Sequence, residues 1–172
     1  NITPAFSPDG RRLAYAHALC ANWRCGGNAD SLLAQSRQAA TRALRLNPRS
    51  SDAWMGRAYL LNQLAAAGGV ASDDTLLASI ASFRRAVELN PRNDEAWHQY
   101  GMILAWVSDS ASLDALRRAL ALDPVRAVTY SDLSVAYATM GRIDRALAMI
   151  DSAVTLEPDG PFRQFRAAFR LS

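Results

Sequence analysis

Lysine is missing from this 172-residue chain, whose nineteen basic residues are all arginine. That absence excludes several chemistries at once. A phosphate-binding loop needs a lysine on the β and γ phosphates, a kinase needs its strand lysine, and Schiff-base catalysis needs an amine. Cysteine is scarce as well: Cys20 and Cys25 are too few for a disulfide framework and give no reading of the redox compartment. Residues five apart do not share a helix face, so a bridge would require a helix to end between them. Two free thiols near a helix end is the simpler reading. His17 adds a third metal-ligand type, but without a fourth ligand or a Cys-x-x-Cys pair the set falls short of a zinc site. No metal and no cofactor is expected.

Long apolar runs are also lacking. None approaches the roughly 20 residues needed to cross a bilayer, so membrane insertion is not expected. The opening Asn1-Ile2-Thr3-Pro4 lacks the basic-then-apolar layout of a signal peptide. It also lacks a methionine, which points to a piece of something longer. A cytoplasmic location is expected, with an extracytoplasmic one left open. The formal charge is +3, yet the arginines are spread along every segment, from Arg42 and Arg57 to Arg142 and Arg166. A phosphate-tracking surface would cluster them on one face, so no nucleic-acid partner is expected.

What the chain does have is a repeat. Four segments end alike, at Ala43-Leu44-Arg45-Leu46-Asn47-Pro48, Ala86-Val87-Glu88-Leu89-Asn90-Pro91, Ala119-Leu120-Ala121-Leu122-Asp123-Pro124 and Ala153-Val154-Thr155-Leu156-Glu157-Pro158. The prolines lie 43, 33 and 34 residues apart, and a period of about 34 marks repeats of two helices and a turn. Each proline stops a helix because it has no amide hydrogen and disfavours helical geometry in the residue before it. New helices open about three residues on, at Ser51-Asp52-Ala53-Trp54, Asp94-Glu95-Ala96-Trp97 and Ala127-Val128-Thr129-Tyr130. The first two offer a capping oxygen and acidic residues to the orphan amides of a helix start; the third lacks that cap.

These units resemble the tetratricopeptide repeat. That motif has a large residue at the fourth position of its first helix, a small one at the eighth and a large one at the eleventh. Alanine, a large residue, alanine and a terminal proline follow on the second helix. The most complete unit reads Tyr130, Ser134, Tyr137, Gly141, Ala146, Ile150, Ala153 and Pro158. The unit before it reads Trp97, Gly101, Leu104, Ser112, Leu116, Ala119 and Pro124. The earlier one reads Trp54, Ala58, Leu61, Ser79, Phe83, Ala86 and Pro91, with about nine extra residues around Gly68-Gly69-Val70-Ala71-Ser72. The opening unit is degraded: its second helix is expected over residues 30–46, and its first helix is preferred over a strand from about Ser7. After Pro158, Gly160-Pro161 reads as a break before a last helix.

The expected fold is therefore all-α, a right-handed superhelix of antiparallel helix pairs. One domain spans residues 1–172, with repeats at about 7–48, 51–91, 94–124 and 127–158 and a C-terminal helix at about 161–171. A two-helix unit cannot bury its apolar face alone, and stacking such units leaves a curved surface lined by the first helices. The resemblance implies that Met55, Tyr59, Asn62, His98, Met102, Trp106, Ser131 and Val135 face that groove, beside positions such as Glu95 and Val128. Aromatic and methionine side chains there suit adaptable apolar contacts, so a protein or peptide is the expected partner. Trp54 and Trp97 are expected in the core. Tetratricopeptide proteins that grip acidic chaperone tails carry a clamp containing lysines, which this chain does not have. Phe162, Phe165 and Phe169 form a stripe on the last helix, read either as a cap or as a self-association face giving a homo-oligomer. His98 has no serine or cysteine placed for a relay, and an enzyme is not expected. The units also resemble regions appended to bacterial signalling proteins, such as serine/threonine kinases and transcriptional regulators. That likeness implies, as an alternative, a regulatory or oligomerisation segment of a parent protein.

Overall fold

The computed structural model describes residues 29–67, 73–107 and 110–170, and among them every element is helical. The helices are α1 Ala29–Leu46, α2 Ser51–Ala67, α3 Asp73–Leu89, α4 Asp94–Trp106, α5 Ala111–Leu122, α6 Ala127–Thr139, α7 Ile143–Leu156 and α8 Phe162–Arg170. The expected first helix of the opening repeat, with His17, Cys20 and Cys25, lies outside the described residues, as do residues 68–72. The chain divides into two compact units, Asn1–Asn90 and Pro91–Ser172. None of the described helices is long and apolar enough to cross a membrane.

In the first unit α2 packs on α3 and α1 on α2. Ser51 Oγ donates to the Ala86 carbonyl and Ser79 Oγ to the Ala58 carbonyl, each at 2.9 Å. Moving seven residues up α2 therefore moves seven residues down α3, which is an antiparallel hairpin in register. Ala58, Ser79, Phe83 and Ala86 of the motif, with Ala53, are buried in its interior. Both helices have 17 residues, against 13 in α4 and 12 in α5. Most of the insertion is thus taken up by extending the two helices at the tip of the hairpin, about one turn each at 3.6 residues per turn.

The second unit repeats the arrangement with α4 on α5, α6 on α7, α5 on α6 and α8 on α7. Leu113, Leu116, Leu133, Ala136, Tyr137 and Ala146 form one cluster, and Ala127, Ile150, Ala153 and Phe162 another. Phe162 thus joins the protein's own core and anchors α8, helped by an Arg166–Asp151 ion pair. The Tyr137 ring has the Arg117 and Arg145 guanidinium carbons 5.8 and 5.9 Å from its centre, and its hydroxyl accepts a 2.7 Å bond from Arg117. Burial opposes ionisation of this phenol, but the Arg117 hydrogen bond and the two positive charges outweigh it and hold the group below its ordinary value.

Each repeat ends and begins by the same device. The amides of Asn47, Asn90, Asp123 and Glu157, one residue before each proline, still donate to the carbonyls of Ala43, Ala86, Ala119 and Ala153. The proline carbonyl then accepts from the large residue six positions later: Trp54 Nε1 to Pro48 at 2.8 Å, Trp97 Nε1 to Pro91 at 3.0 Å, and Tyr130 hydroxyl to Pro124 at 3.2 Å. Trp54 and Trp97 are therefore half-buried latches across the turn rather than core residues. The capping oxygens stand one residue earlier than the sequence suggested: Ser50 Oγ receives the Ala53 amide and Asn93 Oδ1 the Ala96 amide. At α6 the cap position is Arg126, which makes no side-chain cap. The first three junctions start the next helix three residues after the proline, whereas α8 starts four after Pro158, at Phe162.

The turn from α6 to α7 closes with Gly141 at φ 71°. Its amide bonds to the Ala138 carbonyl and the Arg142 amide to Tyr137, both at 2.9 Å, the paired bonds of a glycine-ended helix. At the eighth position of α4, a Cβ on Gly101 would lie 2.6 Å from Leu116 Cγ and 3.0 Å from the Leu116 amide nitrogen. Gly101→Ala is expected to destabilise the chain by about 1–3 kcal/mol despite the better helix propensity of alanine. Urea titration followed by far-ultraviolet circular dichroism checks this; an unchanged or higher midpoint would contradict it.

Candidate functional site

The first helices of the second unit are α4 and α6, and a chain of polar contacts ties them together. Arg126, at the start of α6, donates to Asp94 at 2.9 Å and to Glu95, both in the first turn of α4. One turn further on, His98 Nε2 and Asp132 Oδ2 lie 2.6 Å apart. The two contacts, met in the same order along each helix, show that α4 and α6 run side by side in the same direction. The Gln99 amide nitrogen donates to Glu95 at 3.0 Å, which orients the amide, and sits 3.4 Å from His98 Nδ1. His98 thus stands between Gln99 at Nδ1 and Asp132 at Nε2. The series Asp94, Arg126, Glu95, Gln99, His98 and Asp132 is thus one hydrogen-bonded line across two helices.

Beyond that line the face turns apolar. On α4, Met102 is half-buried and Trp106 is 63% exposed. On α6, Val128, Asp132 and Val135 fall on one stripe at four- and three-residue spacing, and Val135 is 41% exposed, with Val128 similarly open. Ser131 is buried, while Val128 and Val135, also expected on the groove face, stand open to solvent. His98 is buried too and acts as a tie between helices. Arg126, Gln99 and Asp132 were not singled out from the sequence. Asp132 lies 34 residues after His98, one position past its repeat equivalent Ser131, so the repeat pattern alone did not pair the two.

In the first unit the corresponding residues lie on α2. Met55 and Tyr59 are buried, the Tyr59 ring meeting Phe83 edge to face with centroids 5.4 Å apart, and Asn62 is half-buried. On α8, Phe162 is interior and Phe165 is 45% exposed, while the Phe169 side chain lies outside the described residues. Among the described residues no group of three or more histidine, cysteine, aspartate or glutamate side chains is placed to hold a metal ion.

Removing the imidazole leaves Asp132 without its donor. His98→Ala is expected to lower unfolding stability by about 2 kcal/mol, as for a lost hydrogen bond to a charged group. His98→Gln, whose amide can still donate, should recover much of it. Equal midpoints for the wild type and His98→Ala in denaturant titration would show that the tie is dispensable.

The family model for the tetratricopeptide repeat matches residues 127–159, which are α6, α7 and the turn after them. No curated protein matches the sequence. Solved structures do share the fold. A thermophilic tetratricopeptide-repeat protein of Thermus thermophilus is similar at 21% identity and TM-score 0.76, covering 95% of this chain and 82% of its own. YrrB, a tetratricopeptide-repeat protein with an unusual peptide-binding site, gives 21% identity and TM-score 0.67 over 94% of this chain and 76% of its own. MamA from Desulfovibrio magneticus gives 16% identity and TM-score 0.73 over 97% and 86%. The sequence thus carries one matched tetratricopeptide repeat, at residues 127–159, and its helix pairs share the fold of solved tetratricopeptide-repeat proteins.

Proposed function

We propose that this chain binds a polypeptide segment along the first helices of its second unit, on the face that carries Met102, Trp106, Val128 and Val135. A repeat fold of this kind is a protein-interaction module, and the observation that favours this face is Trp106. It is a large aromatic left 63% exposed at the end of a helix, and the neighbouring first helix also carries open valines. Exposed aromatic side chains next to rigidly held helices are typical anchors of protein contacts. The polar line from Asp94 to Asp132 holds the two helices in fixed register, so the face is formed before a partner arrives. Peptide binding by YrrB, a protein of the same fold, is consistent with this use. Met55 and Tyr59 serve the interior of the first unit, which leaves Asn62 as the accessible residue of the expected set there.

Peptides selected from a display library against the wild-type chain test the face. Trp106→Ala or Val135→Asp is expected to lower their affinity at least about tenfold, as for a central anchor, with helical circular dichroism unchanged. Leu77→Ser, at an exposed apolar residue of α3, should leave binding intact. Peptides that bind Trp106→Ala and Val135→Asp as well as they bind the wild type would remove the proposal.

Phe165 favours a second reading, self-association through α8, because it is exposed while Phe162 on the same helix is buried. If that reading holds, Phe165→Glu shifts the chain to a smaller species in gel filtration at high protein concentration. An elution volume identical to the wild type would leave α8 as a cap.

A further inference from the structure

Eight residues before its closing proline, each later repeat carries a large apolar side chain: Phe83, Leu116 and Ile150, all fully buried. The opening repeat has Ala40 at that place, eight residues before Pro48. A second difference lies across from it. Three residues after the latch residue, α4 and α6 carry Tyr100 and Leu133, whereas α2 carries Arg57. With both plugs missing, a groove of about 400 Å³ opens between α1 and α2. Ala40 and Leu44 of α1 and Leu60, Leu61 and Leu64 of α2 form its floor. Among the described residues its polar lining is Arg37, Thr41 and Arg57, with no carboxylate. Packed helices joined by a turn as short as residues 47–50 run in opposite directions. Arg57 lies six residues past the start of α2 and Arg37 nine before the end of α1, so they stand on opposite walls about 5 Å apart along the groove. Leu44 is nearer the turn than either and Leu64 farther from it, so apolar surface continues past the arginines at both ends.

We infer that this groove is a second docking site, which takes an acidic polypeptide segment. An aliphatic side chain of that segment fills the place held by Phe83, Leu116 and Ile150 in the later repeats, and flanking carboxylates pair with Arg37 and Arg57. Neither arginine forms an ion pair among the described residues. The Arg57 guanidinium carbon rests 5.3 Å from the centre of the Trp54 ring, and a stacked guanidinium keeps its N–H edges for a carboxylate. Residues 29–67 as a whole contain five arginines and two aspartates, so the surroundings favour an anionic visitor and a basic one is opposed. Nucleic acid docks by stacking its bases on aromatic rings, and this lining offers none. The leucines suit an apolar side chain, whose burial supplies the driving force. The site lies on a different face of α2 from Met55 and Tyr59, and in the other unit from Trp106.

Fluorescence anisotropy with three end-capped, labelled dodecapeptides tests the inference. Each has a central pair of leucines flanked on both sides by glutamate, glutamine or arginine. The glutamate peptide is expected to bind wild type about fivefold more tightly than the glutamine peptide, the size of one exposed charge contact, and the arginine peptide least of all. Replacing both guanidiniums, by Arg37→Gln with Arg57→Gln, should bring the glutamate and glutamine peptides close together. Ala40→Leu fills the slot with the chain's own atoms and should weaken the glutamate peptide at least about tenfold, with a melting temperature no lower than that of the wild type. Trp106→Ala should leave this binding unchanged. A glutamate preference that survives the arginine replacements, or tight binding that survives Ala40→Leu, would overturn the inference. Loss of the glutamate peptide on Trp106→Ala would place it on the α4 and α6 face and overturn it as well. Equal binding of the three peptides, a labelled single-stranded oligonucleotide that matches the glutamate peptide, or no binding by any of them also counts against it.

Discussion

Two helices can approach closely only where one of them presents almost no side chain at the crossing. In this chain that requirement falls on the eighth position of each first helix, filled by Ala58, Gly101 and Ser134, all buried. At Gly101 the contact leaves no room even for a methyl group, because Leu116 already occupies its place. Larger residues then fill the space around the crossing: Phe83 in one hairpin, Leu104 and Leu116 in the next, Tyr137 and Ile150 in the last. The pairs are thin and still have apolar sides to cover, so they stack. In the second unit α5 packs on α6 while part of α4 and α6 stays free, which is why the candidate site lies on those two helices.

Much of this was legible in the residues themselves. The four alanine-to-proline endings give the helix stops, and the spacing of large and small residues gives the hairpins, because both are local consequences of proline geometry and helical period. The shift of the caps to Ser50 and Asn93 was hidden by neighbours that also carry side-chain oxygens. Ser51 bonds across the hairpin and Asp94 bonds to Arg126, so the more obvious capping candidates are used elsewhere. The latch roles of Trp54, Trp97 and Tyr130 were hidden for another reason. Their ring size marked them as packing residues, while the polar atom at the ring edge, which reaches the proline carbonyl, leaves no trace in a hydropathy pattern.

The site was harder to read because helix position fixes direction but not the distance to the next repeat. The fifth position was expected to face a partner, yet Met55, His98 and Ser131 are all buried. In the second unit the cause is visible, since neighbouring first helices come close enough for His98 to reach Asp132. Further along, the ninth and thirteenth positions open, and Val135 and Trp106 are exposed. Tyr59, at the ninth position in the first unit, instead turns its edge to Phe83. An aromatic side chain on a repeat can serve its own hairpin or a visitor, and the ring alone does not distinguish the two.

The bond from each latch residue to the proline six positions back sets a fixed length for the stretch that joins one repeat to the next. An added or deleted residue there would pull the donor off the carbonyl, and at the fourth junction, where one residue is added, Phe165 stands four residues into its helix with no donor to give. The far end of a hairpin has no such tether, and the 51–91 unit shows the result in helices of 17 residues each. Divergence in the length of this array is thereby channelled to the bends within hairpins, while the joints between them are kept to one measure.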